Sequence, residues 1–295
     1  MSGTYKQEIS ATKNLPGCLI VLLDQSGSMA EQFGADKRSK AVAAARAVNT
    51  ALESLVDQCI KGESLRDDIH VGVIGFGGKA AQDFLWGGSG PGGLLTVSEL
   101  EAKAQFEEIE TDEDDGTGKL KVEKRSKWFD PFQIGCRRAS MDLAFKLAVK
   151  KLTSWVDQFP NSFPPIVFVI TGGGADDRAQ AEKLAGIIKQ VQTTNGAALL
   201  CICHVVPPTD SAFPTDEAQV SDLNGKWLFK LASEMPDHIV RYGTLIGLQT
   251  RRGSRCYVTV RVAGKFSRLL SSAANNSEWE NPWAIYGSDG GEPAR

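Results

Sequence analysis

The residues in this chain best placed to do chemistry are Asp24, Ser26 and Ser28, in the run Asp24-Gln25-Ser26-Gly27-Ser28. They close the apolar stretch Leu19-Ile20-Val21-Leu22-Leu23, which reads as a buried strand. One carboxylate and two hydroxyls at the end of a strand are hard oxygen donors suited to Mg²⁺. In open α/β sheets the carboxyl ends of the strands are also where ligands bind. Without a metal, the same residues make a strand-end turn whose serines bond to loop N–H groups.

The elements around this pentad alternate. Short β-branched apolar runs at Cys18 to Leu23, Ile69 to Phe76, Ile166 to Ile170 and Ala197 to Val206 read as buried parallel strands. Helical apolar spacing recurs from Ser39 to Val56, from Ser140 to Val156 and from Asp177 to Val191. Strands alternating with helices predict an α/β fold: a doubly wound, mostly parallel central sheet with helices on both faces. A glycine-rich and then charged region interrupts the pattern. Within it, Phe106 to Thr111 and Leu120 to Ser126 flank Asp114-Asp115-Gly116-Thr117-Gly118 and predict a β-hairpin. The expected organisation is a polar segment over 1–14, one domain over 15–274 with a hairpin insertion over 94–127, and an aromatic tail over 275–295. Trp279, Trp283, Ile285 and Tyr286 give that tail two readings, self-packing or insertion into a partner.

Charge and composition remove several function classes. Across 295 residues, 33 basic side chains face 36 acidic ones, so nothing suggests nucleic acid or an anionic membrane. No apolar run approaches the roughly 18 residues of a membrane span. The six cysteines lack disulfide-like or zinc-like spacing, and Cys201 and Cys203 are expected on one strand face. These features predict a reduced, cytoplasmic protein. A serine hydrolase is disfavoured, with three histidines (His70, His204, His238) and no Gly-x-Ser-x-Gly elbow. His70 and His204 fall in or beside strands and read as structural. A phosphohydrolase using Asp24 as nucleophile fits its strand-end position, but position 26 is serine, not a second carboxylate. Gly172-Gly173-Gly174 reads as a tight strand-to-helix turn rather than a phosphate loop.

Val21-Leu22-Leu23-Asp24-Gln25-Ser26-Gly27-Ser28-Met29 resembles the opening of a von Willebrand factor A (VWA) domain. Val71 to Gly78, Trp128-Phe129-Asp130-Pro131, Ser162 to Val167 and Leu228 to Pro236 are similar to segments of the bacterial TerY-like cytoplasmic group. The resemblance runs from Leu15 to Ser272. It implies a metal-ion-dependent adhesion site in which three loops hold Mg²⁺, with Asp24, Ser26 and Ser28 as the first loop. The second loop departs from the pattern, with Ala139 at the usual threonine and Ser140 one residue off. The third departs too: Gly172 stands at the usual aspartate, with Asp176 and Asp177 four and five residues later. A site with one formal negative charge binds Mg²⁺ more weakly than one with two.

The expected function is therefore non-enzymatic: a protein–protein interaction adaptor, binding at the strand carboxyl edge with weak or absent metal dependence. The resemblance implies a bacterial multiprotein setting such as tellurium resistance or anti-phage defence. The partners it implies are a MoxR-type AAA+ ATPase or a kinase and phosphatase pair. The alternatives are a fully Mg²⁺-dependent adhesion module drawing on Ser140, Asp176 or Asp177, and the Asp24 phosphohydrolase.

Overall fold

The computed structural model describes residues 12–33, 38–114, 120–130, 139–206, 212–245 and 248–259. The expected aromatic tail and most of the 1–14 segment lie outside them.

The strands that read as continuously apolar are those buried on both faces. They are β1 (Gly17–Asp24), β2 (Ile69–Gly77), β7 (Ile166–Thr171) and β8 (Leu199–His204). Three shorter ones join them: β3 (Ala80–Asp83), β4 (Leu95–Thr96) and β9 (Tyr257–Thr259). The seven-stranded sheet has the order β9-β8-β7-β1-β2-β3, with β4 also pairing β2. All pairings are parallel except those of β3 and β4 with β2. Counted outward from β1, this is a doubly wound α/β fold, with its reversal of strand order between β1 and β7.

Alternation along β1 divides the core. Leu19, Val21 and Leu23 face one apolar layer, packed by α1 (Lys40–Cys59) through Val48, Leu52 and Leu55, and by Leu100 of α2 (Val97–Ala102). Ile20 and Leu22 face the other, packed by α3 (Met141–Gln158), α4 (Arg178–Ile188) and α5 (Leu223–Leu231) through Phe145, Trp155, Ile188 and Leu228. Cys201 and Cys203 do share a face, in the first layer. A last helix, α6 (Asp237–Leu245), follows α5. No helix among the described residues is long and apolar enough to cross a membrane.

Within 94–127, the hairpin itself is β5 (Gln105–Asp114) with β6 (Leu120–Lys127). Residues 94–102 belong to the sheet edge and to α2, with Leu94, Leu95, Val97 and Leu100 all buried. The hairpin base is fastened to α1. Ser126 N–H donates to Glu53 at 2.8 Å, and Asn49 exchanges hydrogen bonds with the Trp128 N–H and the Phe129 carbonyl. The glycine-rich loop before β4 is pinned by buried Lys151 of α3, which pairs with Asp83 at 2.7 Å and donates to the Gly92 carbonyl at 2.8 Å.

His70 of β2 is buried and accepts the Trp155 indole N–H at Nδ1, 3.0 Å away. Burial pushes its pKa below the ordinary 6.5, against the opposing pull of Asp67 and Glu99. A depressed histidine contributes stability that is complete above its unfolded pKa and is lost as pH falls toward the folded value. His70→Asn keeps an acceptor but cannot titrate. The stability advantage of wild type over His70→Asn, measured by urea denaturation, should therefore shrink as pH falls from about 7 to about 5. A constant gap across that range would refute the role of the neutral imidazole.

Candidate functional site

The site forms where β1 and β7 end side by side. Asp24, the last residue of β1, and Thr171, the last of β7, are both fully buried. One carboxylate oxygen of Asp24 accepts the Ser26 N–H at 2.8 Å, turning the chain sharply. The other accepts the Thr171 hydroxyl at 2.7 Å and the Gly172 N–H at 3.2 Å. Thr171 Oγ1 in turn accepts the Gly173 N–H at 3.1 Å. Burial raises the Asp24 pKa, and the hydrogen bonds from Ser26, Thr171 and Gly172 act against that rise.

The remaining predicted residues arrange around this knot. Ser26 and Ser28 hydroxyls lie 3.0 Å apart and bond to each other, with Ser28 half-buried in the turn Gly27–Ala30. Ser140 precedes α3, yet its hydroxyl does not cap that helix; it donates to the Gly78 carbonyl. Asp176 is exposed, and its N–H donates to the Ala139 carbonyl at 3.1 Å, joining the second and third loops. Asp177, also exposed, caps α4 by accepting the Gln180 N–H at 2.9 Å. The three loops named by the resemblance thus converge, tied together by the protein's own hydrogen bonds.

Two site residues escaped the sequence reading in this role. Thr171 falls just past the Ile166 to Ile170 run, in the third loop of the resemblance, and nothing in the sequence assigns its hydroxyl a role. His204, at the end of β8, is buried, with Nδ1 3.0 Å from the Tyr257 hydroxyl. Burial pushes its pKa down, against Asp222 and a hydrogen bond with the Gly172 backbone. It stands against the third loop so closely that a Cβ on Gly173, where φ is +110°, would lie 2.5 Å from its Nε2. Glycine is needed there for backbone and space alike.

The donor set can be tested against Mg²⁺. Both Asp24 oxygens already accept protein donors and Ser140 donates to Gly78, which leaves the Ser26 and Ser28 hydroxyl oxygens as the open ligands of the set. Gly172 brings no carboxylate, and a Cβ there would meet Ser28 Oγ at 2.6 Å. No cluster of three His, Cys, Asp or Glu side chains suited to a metal occurs among the described residues. As arranged, these residues do not fit a Mg²⁺ shell, which asks for near-octahedral oxygen ligation.

No protein-family model and no curated protein matches the chain. Solved structures do. The pilus adhesin SpaC from Lactobacillus rhamnosus GG is 14% identical, over 90% of this chain and 31% of that one, with a TM-score of 0.47. The manganese-loaded TRAP protein of Plasmodium vivax is 19% identical, over 65% and 57%, with a TM-score of 0.35. The vWF domain of the type V pili tip protein Mfa5 from Porphyromonas gingivalis is 8% identical, over 55% and 39%, with a TM-score of 0.32. In each case the chain spans less than two thirds of the other protein. The strand order of the sheet, not these overlaps, defines the fold.

Asp24→Ala would leave the Ser26 and Gly172 N–H groups and the Thr171 hydroxyl without their buried acceptor. The expected loss is about 2–5 kcal/mol, read as a lower denaturant midpoint. A change below roughly 0.5 kcal/mol would show that the knot does not hold the loops.

Proposed function

We propose that this chain is a non-enzymatic, VWA-type protein–protein interaction module that presents the carboxyl edge of its sheet to a protein partner, with weak or absent metal dependence. The observation that supports it best is the state of Asp24. Its carboxylate is buried and accepts hydrogen bonds from Ser26, Thr171 and Gly172, which tie the loops to one another through the protein's own donors. The same burial weighs against a phosphohydrolase, because a nucleophile must reach its substrate. What the edge offers a partner is loop shape together with the exposed side chains of Asp176 and Asp177. The anchored hairpin is a second exposed element, with Phe106 and Val122 open to solvent.

The setting proposed is that of the TerY-like resemblance: a cytoplasmic bacterial multiprotein system, of the tellurium-resistance or anti-phage kind. The partner would be a MoxR-type AAA+ ATPase or a kinase and phosphatase pair. The five described cysteines are free and buried, in keeping with a reducing compartment.

One observation favours the Mg²⁺-dependent reading: the Ser26 and Ser28 hydroxyls sit together in a half-open turn. Calorimetric titration separates the two. The expected result is no saturable heat with Mg²⁺ or Mn²⁺ at millimolar concentration, and saturation would overturn metal independence. The docking edge is tested by Gly174→Arg, since a Cβ there meets nothing within 4 Å and the fold should tolerate it. Tagged Gly174→Arg should melt like wild type yet lose co-purifying partners. Unchanged partner recovery would move the interface elsewhere.

A further inference from the structure

The opposite pole of the sheet carries a second feature that the loop site does not use. At the amino end of β8, five residue steps or about 17 Å from His204, a cleft of about 670 Å³ opens. Small-molecule sites commonly measure roughly 300–1,000 Å³. The cleft lies between the end of α4, the turn at 194–198, and the segment from Ala232 to Arg241.

Its basic side chains come from separate elements. Lys189, half-buried at the end of α4, donates to the Leu231 carbonyl at 3.0 Å. Arg255, also half-buried, donates from one guanidinium nitrogen to the Ala232 carbonyl at 2.8 Å and lies 5.1 Å from the Phe229 ring centre. Arg241 of α6 stands exposed at the rim. Among the described residues, none of the three is ion-paired. Lys189 and Arg255 are close enough to repel: burial first, and the Arg255 charge second, lower the Lys189 pKa.

Capping carbonyls at the end of α5 accounts for part of this arrangement. It uses one Lys189 N–H and one guanidinium nitrogen of Arg255. It does not explain why both cations line one open cleft. An anion between them removes the repulsion and supplies the acceptors. The amino end of α6 also borders the cleft through Pro236 and Asp237, with the acidic side chain of Asp237 in the first turn set against the positive dipole end.

We propose that this cleft binds a small phosphate-bearing ligand, held by Lys189, Arg255 and Arg241. With Glu234 and Asp237 in the same lining the cations leave a net of one positive charge, and a phosphate supplies negative charge together with several acceptor oxygens. Apart from the His238 imidazole, no aromatic ring among the described residues lines the cleft, so an aromatic carboxylate would find little to stack on. The space exceeds a bare phosphate. Glu234 and Asp237, also in the lining, are acceptors suited to hydroxyls of an attached sugar. This inference is independent of the loop-edge reading, because no residue is shared between the two.

The test is calorimetric titration of the full chain with pyrophosphate, ribose 5-phosphate and adenosine monophosphate, at matched ionic strength. At least one probe should saturate with one site per chain. Saturation by ribose 5-phosphate or the nucleotide alone would identify a sugar-bearing ligand, and by all three the phosphate group itself. Lys189→Met and Arg241→Ser should each weaken binding about tenfold or more. Lys61→Ser, which removes an equal exposed charge elsewhere, should not. Arg241 is exposed, so its variant tests the site even if Lys189→Met folds poorly. No saturation by any probe at about 10 mM, or equal weakening by Lys61→Ser, would overturn the proposal.

Discussion

The structure depends on one buried carboxylate holding two strands together at the point where their connections diverge. From β1 the chain passes to α1 and one face of the sheet; from β7 it passes to α4 and the other. Nothing in the backbone ladder ties the two departing loops to each other beyond the last register pair, Leu23 with Ile170. Asp24 supplies the tie through Thr171 and Gly172. Leaving a carboxylate uncompensated in such a place would cost several kcal/mol, so its three donors are a condition of its presence rather than an embellishment.

The parts of this fold that were legible in the sequence are those whose burial is symmetrical. β1, β2, β7 and β8 are covered on both faces, so most positions are apolar and the run declares itself. The edge strands obey no such rule. Ala80–Asp83 alternates between exposed and half-buried positions, and Leu95–Thr96 is too short to show a period. Glycine-rich composition around them hid both β4 and α2. The glycines have a local cause: Gly92, at φ +70°, lets the loop pass so close that a Cβ would lie 2.8 Å from the Lys151 backbone.

The site divides the same way. The pentad is contiguous, so its oxygen donors are visible together. Thr171 lies 147 positions from Asp24, and no local pattern marks its hydroxyl as the partner. His204 reads correctly as a satisfied internal histidine, yet the reading misses what it does to its neighbours. Gly173 is glycine because of His204 as well as because of the turn. A sequence shows the turn; only the packed sheet shows the ring standing behind it.

Gly172 sharpens the functional argument. Two facts about it, the missing carboxylate and the missing Cβ, are usually one fact, but their consequences differ. Without the carboxylate, position 172 has no charge to offer an ion. Without the Cβ its backbone can lie against Ser28, a position in which any side chain must displace the Ser28 hydroxyl 2.6 Å away. The Gly172 N–H also donates to Asp24, at 3.2 Å. On the proposed reading the glycine is a substitute for the ion: the loops are drawn together by backbone donors. On the same reading the surface is preformed, and a preformed surface avoids part of the ordering cost of association.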